Sequence, residues 1–259
     1  MNPVISVITP VYNQSHLTRR CIESLLEGSK LDTELIVIDN ASADDTPEVL
    51  EKLRPKALAR GWDFQVIRNR KNVGFGRAMN QGIAVARGSF VALLNNDTWL
   101  MPGWDAELSR RLVELGASMV SPYFDETPFE EGQMRPRAKR CVRKNRRRVL
   151  RQFCPIVMLF SREALGRIGL FDERFFLTYE DTDLHWRMDR MKEKYFTVGN
   201  CYIWHHSKGT RGSMPSSHEV EGKRLFIEKW GFDPTLWEHT LLGRLKRRWQ
   251  KIRRRFGYL

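Results

Sequence analysis

Phe90-Val-Ala-Leu-Leu-Asn-Asn-Asp97 is the stretch whose reading decides the fold. Its apolar run, Val91 to Leu94, predicts a buried strand, and the strand runs out into the oxygen-bearing side chains of Asn95, Asn96 and Asp97. Open α/β sheets take their ligands at the carboxyl ends of their strands. A hard divalent cation needs oxygen ligands and completes its shell with substrate phosphates. A carboxylate at such a strand end is therefore where a nucleotide–metal complex would sit.

The upstream segments supply the neighbours this strand needs. Ile5-Ser-Val-Ile-Thr9 predicts a first strand, Glu34-Leu-Ile-Val-Ile-Asp39 a second that also ends in a carboxylate, and Phe64-Gln-Val-Ile-Arg68 a third. Leu17, Cys21 and Leu25 recur on one helical face between the first two strands, with Ser15 as the expected cap. Asp45-Thr46-Pro47-Glu48 opens a second helix with a cap, a proline and an acid. A short third helix is expected over residues 77–86. This alternation predicts an α/β fold with a Rossmann-like, mostly parallel sheet and helices on both faces. Further along, the pattern predicts a helix over residues 102–115 and strands at 118–121, 155–160 and 201–204. A long loop is expected over 135–151, and a polar, then helical and basic tail from 213.

At 259 residues and 41% hydrophobic content the chain can bury a full core. No apolar run approaches the ~20 residues that span a bilayer. The N-terminus enters a strand directly, so no secretory leader is expected. Cys21, Cys141, Cys154 and Cys201 have no paired spacing, which predicts a reduced cytoplasmic protein without structural zinc. The net charge of +13 is local. Residues 135–151 and 244–255 hold 18 of the 44 Lys and Arg and no acid, leaving 26 basic residues against 31 acids in the body. Such segments imply an anionic partner, whether a membrane surface, a diphosphate or a nucleic acid. Leu245, Trp249, Ile252 and Phe256 fall at helical spacing among the tail's lysines and arginines. That suits a helix lying on an anionic membrane, or one docked on the body with a solvated basic face.

Five ordered elements then carry a resemblance. They are Thr9-Pro-Val-Tyr-Asn13, Ile38-Asp-Asn-Ala-Ser42, Asn72-Val-Gly-Phe-Gly-Arg-Ala-Met-Asn80, Leu94-Asn-Asn-Asp-Thr98 and Gly169-Leu-Phe-Asp-Glu-Arg-Phe-Phe-Leu-Thr-Tyr-Glu-Asp-Thr-Asp-Leu184. Over roughly residues 4–212 the chain resembles the family 2 glycosyltransferases of the GT-A fold, particularly the bacterial branch that builds surface polysaccharides. The resemblance implies transfer of a sugar, with inversion, from a nucleotide-diphosphate donor to an acceptor hydroxyl. It divides the chain into a nucleotide-sugar half (1–98), an acceptor and catalytic half (99–212) and a basic helical C-terminal extension (213–259).

Residue roles follow from the same resemblance. Pro10, Val11 and Tyr12, expected just after the first strand, would surround base and ribose. Asp39 would accept the imide N–H of uracil or thymine, favouring a UDP or dTDP donor; otherwise it is a loop or capping aspartate. Gly74, Arg77 and Asn80 would contact the donor, with phosphate drawn to the helix start; Arg77 could equally be a surface arginine. Asn96 joins this donor set. The family's Asp-x-Asp metal motif is here Asn95-Asn96-Asp97, leaving Asp97 as the acidic ligand for Mn²⁺ or Mg²⁺, bound weakly without donor. A histidine after the last strand would add a ligand and tilt the site toward Mn²⁺; the spacing to Gly209-Thr210 favours His205 over His206. Asp181 would be the single base an inverting transfer needs. Glu180, Trp186 and His206 are acceptor-side candidates, Trp186 being also a candidate core residue. Asp183 and Arg187, four apart, would form a helix ion pair.

The basic loop at 135–151 could hold a phosphorylated or lipid-linked acceptor, or be a disordered insertion. The expected location is cytoplasmic, peripheral on the inner face of a bacterial membrane. Nucleotidyl transfer is disfavoured because the first loop lacks a phosphate-gripping glycine signature. A basic nucleic-acid- or membrane-binding protein without transferase activity is the competing reading, but no nucleic-acid motif is present.

Overall fold

The computed structural model describes residues 4–126, 130–206 and 217–237. Strands β1 (Ile5–Val11), β2 (Thr33–Asp39), β3 (Asp63–Arg68) and β4 (Phe90–Leu94) run parallel in the order β3-β2-β1-β4. Helices α1 (Ser15–Gly28), α2 (Thr46–Ala59) and α3 (Phe75–Val85) connect them. Every residue of β1 and β2 is buried, as covered parallel strands require. Alternate residues feed two cores. Leu35 and Val37 pack with α1 and α2 on one face, and Ile36 and Ile38 pack with α3 on the other.

The second half contributes β5 (Thr98–Leu100), α4 (Trp104–Glu114), β6 (Met119–Asp125), α5 (Met134–Asn145), β7 (Val149–Leu150), β8 (Val157–Ser161), α6 (Arg162–Ile168), α7 (Glu180–Arg190) and β9 (Tyr195–His205). The sheet turns antiparallel where β8 joins β4. It then continues through β6, β9 and β5, with β7 pairing β9. The two halves divided at residue 98 in sequence thus share one nine-stranded sheet. Helix α8 (Ser217–Trp230), followed by the short helix α9 (Pro234–Trp237), falls in the expected C-terminal extension but docks on the body, as described below.

Three local expectations are corrected. Ser15 does not cap α1. The cap position is Gln14, in the left-handed region, and the Ser15 N–H donates to Asp44 Oδ2 at 3.0 Å. The last strand extends well upstream of Cys201, to Tyr195. The basic segment is not a loop along its length, because α5 occupies most of it. Met134, Ala138, Cys141 and Asn145 recur at i, i+4, i+7 and i+11 and form the stripe that seats this helix against Tyr202 and Trp204 of β9. Small and weakly apolar residues carry that stripe, so the surrounding charge masks it in the sequence.

Gly82 sets how closely α3 approaches the sheet. A Cβ there would collide with Ile8 Cγ2 and lie 3.0 Å from Ile38 Cδ1. Gly82→Val is expected to lower unfolding free energy by about 1–3 kcal/mol through overpacking, read from the chemical-denaturation midpoint. An unchanged midpoint would contradict this packing.

Candidate active site

β1, β2 and β4 end at one edge of the sheet, with Val11 opposite Asp39 and Ile8 opposite Leu93. Pro10 and Val11 lie inside β1, not beyond it, and Tyr12 is the first residue past the strand. The loops after β1 and β2 are tied together. Asn13 N–H donates to Ser42 Oγ and Ala43 N–H donates to Asn13 Oδ1, each at 2.8 Å. Asp39 is buried; its Oδ1 accepts the Ser42 N–H at 2.9 Å, while Oδ2 makes no hydrogen bond among the described residues. The loop thus fixes the carboxylate and leaves one oxygen for a ligand.

Past β4, Asn96 is anchored to α1 by its amide, which donates to Thr18 Oγ1 at 2.8 Å. Asp97 is only 8% exposed, and its Oδ1 is buried without a hydrogen bond. Pairing of β5 with β9 sets Thr98 opposite His205, bringing His205 Nε2 to 3.4 Å from that oxygen. On the other side of the ring, Nδ1 stands 3.1 Å from Glu126 Oε1. Burial pulls the imidazole pKa down, but Asp97 and then Glu126 outweigh it, so the pKa lies above its ordinary value. His206 points elsewhere: its backbone N–H donates to the Asp97 carbonyl at 2.8 Å and its exposed ring lies against Trp204.

Thr9 Oγ1 and Asn95 Oδ1 are also buried without hydrogen bonds at this edge. Buried polar atoms of this kind call for a ligand or water. Among the described residues no three His, Cys, Asp or Glu side chains converge as an all-protein metal site. Asp97 and His205 fit a cation that takes its remaining ligands from a substrate's phosphates.

The start of α3 is filled by protein. Phe75 N–H donates to the Phe176 carbonyl at 2.8 Å, and Gly74, at φ +88°, has no room for a Cβ against that same carbonyl. A Cβ on Gly76 would stand 3.1 Å from Phe171 Cβ and 3.6 Å from the Cβ of Glu180, which is buried. Asn80 clamps Phe171, donating to its carbonyl and accepting its N–H, both at 2.9 Å. Arg77 pairs with Glu173 at 3.3 Å on the surface. Gly74, Arg77 and Asn80, expected to contact the donor, are engaged with residues 171–176. They hold the segment that leads into α7.

Asp181, in the first turn of α7, is half-buried. Its Oδ1 accepts the Thr182 N–H at 2.6 Å, and Oδ2 makes no hydrogen bond among the described residues. Trp186 is half-buried and packs against Trp230 and Phe232, at 6.4 and 4.6 Å between ring centroids.

A sequence model of Glycosyl transferase family 2 matches residues 6–175, about two thirds of the chain. The chain belongs to glycosyl transferase family 2. Among relatives, it is 34% identical over 108 residues to EpsH of Bacillus subtilis (strain 168), a protein named as a glycosyltransferase. That match covers 42% of this chain and only 30% of EpsH. Among solved structures, the mannosyltransferase PcManGT from Pyrobaculum calidifontis, with GDP-Man and Mn²⁺, superposes with a TM-score of 0.64 at 20% identity, covering 92% of this chain and 67% of that one. S. aureus TarS 1–349 with UDP gives 0.60 at 15%, covering 96% and 78%. The fold is GT-A.

In this family 2 chain the matched region stops at residue 175, yet the structure continues the site through α7 and α8. Asp183 is fully buried and receives Arg187 Nε at 2.9 Å, the helix pair expected from spacing. It also receives Lys229 Nζ at 2.6 Å and Trp230 Nε1 at 2.9 Å from α8, and Lys229 reaches Asp172 at 2.8 Å. Gly222 of α8 sits so close to Thr178 that a Cβ would lie 2.7 Å from its carbonyl oxygen. Between these contacts Tyr179 is held at φ +71°, with its ring on Phe226. A bulky residue persists in that conformation only where its surroundings enforce it. Sequence reasoning missed Glu126 and this clamp. Glu126 follows the end of β6, where the strand-end rule could have found it; the clamp joins residues some fifty positions apart and left no local signal.

Two outcomes follow from the clamp. Lys229→Ala leaves Asp183 short of a partner and is expected to cost about 1–3 kcal/mol of stability, measured by denaturant unfolding. Hydrogen bonding from Arg174, against the opposing effect of burial and with help from Lys229, holds the Asp172 carboxyl well below the usual range. A depressed folded pKa stabilises above the unfolded value of about 3.9, and that stability is lost as pH falls through the lower folded value. Unfolding free energy should therefore drop below about pH 4, less steeply in Asp172→Asn. Identical acid slopes for the two proteins would contradict the assignment.

Proposed function

We propose that the chain transfers a sugar, with inversion, from a UDP- or dTDP-sugar to a hydroxyl of a glycan or lipid-linked acceptor in surface-polysaccharide or lipopolysaccharide synthesis. The observation that carries this reading is the buried, hydrogen-bond-free Asp97 Oδ1 beside His205 at the sheet edge where parallel strands end. Asp39 Oδ2 is the acceptor for a pyrimidine imide N–H. Solved relatives hold either UDP or GDP-Man, so the base is argued from Asp39 and not from likeness.

In the proposed reaction the acceptor oxygen attacks the anomeric carbon as Asp181 Oδ2 takes its proton, and the bond from that carbon to the diphosphate oxygen breaks. A divalent cation, Mn²⁺ or Mg²⁺, held by Asp97 and His205 would supply positive charge for the departing diphosphate. Glu126 would orient the imidazole so that Nε2 faces the cation, as carboxylate partners of ligating histidines do. The second oxygen of Asp181, held on Thr182 N–H, fixes the direction of its partner.

No helix among the described residues is long and apolar enough to cross a membrane. The basic stretch at 244–255 lies outside those residues. We place the chain at the inner face of a bacterial membrane, with that stretch on the anionic surface.

Asp181→Asn is expected to lower sugar transfer by about 100- to 10,000-fold while the unfolding temperature stays put. Unchanged turnover would remove Asp181 as the base.

A further inference from the structure

We infer that the outer face of α5 is a docking face for an anionic lipid bilayer. Residues 135–151 carry ten Lys and Arg and no acid. The stripe of Met134, Ala138, Cys141 and Asn145 faces the sheet, so the cations are turned outward. Arg135 pairs with Glu27 at 2.9 Å, Arg137 with Asp125 at 4.0 Å and Arg151 with Asp189 at 3.5 Å. Lys139, Arg140, Arg143, Lys144, Arg146, Arg147 and Arg148 are all exposed and have no ion pair among the described residues. Like charges packed this closely repel one another and weaken the folded state. A polyanion laid across them removes that repulsion.

The shape of the face selects the kind of polyanion. The cations stand on a convex helix and the turn that follows it, so they present a surface and not a cleft. Protein partners need buried aromatic or apolar anchors, and single-stranded nucleic acid needs aromatic platforms. The outward positions of α5 are Lys and Arg, with Pro136 the sole apolar exception. A sheet of anionic headgroups asks only for cations within a Debye length. The contact is therefore electrostatic, without insertion, and sensitive to salt. It is also linked to the site: α5 packs on β9, the strand that ends in His205. Docking through α5 would fix how the sheet edge is presented to the bilayer. The inference rests on charge and shape and stands whether or not the proposed sugar transfer is correct.

The test is flotation of the full chain with vesicles of phosphatidylcholine alone or with about 30% phosphatidylglycerol. Wild-type protein is expected to bind only the anionic vesicles and to release as salt rises. Arg140→Glu/Arg143→Glu/Lys144→Glu should weaken that binding by about 100-fold at an unchanged unfolding temperature. Should the triple reversal fail to fold, the three glutamine substitutions replace it, with about a tenfold loss expected. A chain with the basic residues of 244–255 changed to glutamine should still show the loss on α5 reversal. Equal binding to neutral vesicles would overturn the proposal. So would an α5 variant that keeps vesicle binding within about threefold of wild type, including one that loses only binding to RNA.

Discussion

A carboxylate taken out of water must be compensated, and Asp97 is the charge around which this sheet edge is arranged. Its neighbour Thr98 opens the short strand that pairs with the end of β9. That pairing delivers His205 to the buried carboxylate oxygen, and Glu126 closes the row from the end of β6. Asn96, next along the turn, ties it back to α1. Three strands far apart in sequence thus meet at one acidic group. A pairing slip of one residue would turn His205 to the other face of the strand and leave Asp97 without it.

The second constraint is steric. The loop before α3 and the segment before α7 meet backbone to backbone, at Gly74 against Phe176, with Asn80 bonded to both backbone groups of Phe171. No side chain fits at that junction. The contact locks the parallel half of the sheet to the helix that carries Asp181. Helix α8 then presses on the same segment from outside, at Gly222, Lys229 and Trp230. Asp181 is therefore placed by contacts on both sides of its helix, and most of them come from residues that touch no substrate in the proposed reaction.

The parallel half of the fold was legible because two of its strands are apolar runs closed by carboxylates, Glu34 to Asp39 and Phe90 to Asp97. Asp97, Asp39 and the Asp183–Arg187 pair could be singled out because each stands at a strand end or at a fixed helical spacing, whereas Asp181 was singled out by the family resemblance. What was hidden depends on tertiary pairing. Spacing favoured His205 over His206, but the approach of His205 to Asp97 depends on the register of β5 on β9, which no local pattern encodes. The contacts of Gly74, Arg77 and Asn80 with residues 171–176 could not be read because those partners lie about a hundred residues away. Helix α5 was hidden for a different reason, since its buried stripe is weakly apolar and its charge density reads as loop.

The account stands or falls on whether the Asp97–His205 edge binds a nucleotide diphosphate through a cation. The direct measurement is the unfolding temperature of the wild-type chain and of Asp97→Ala and His205→Ala with UDP, dTDP, GDP or CMP, each with and without Mn²⁺. A ligand confined to the folded state raises that temperature. The account predicts a rise with UDP or dTDP that requires Mn²⁺ in the wild type and is lost in both variants. A rise of equal size without metal, or one retained in both variants, would contradict it.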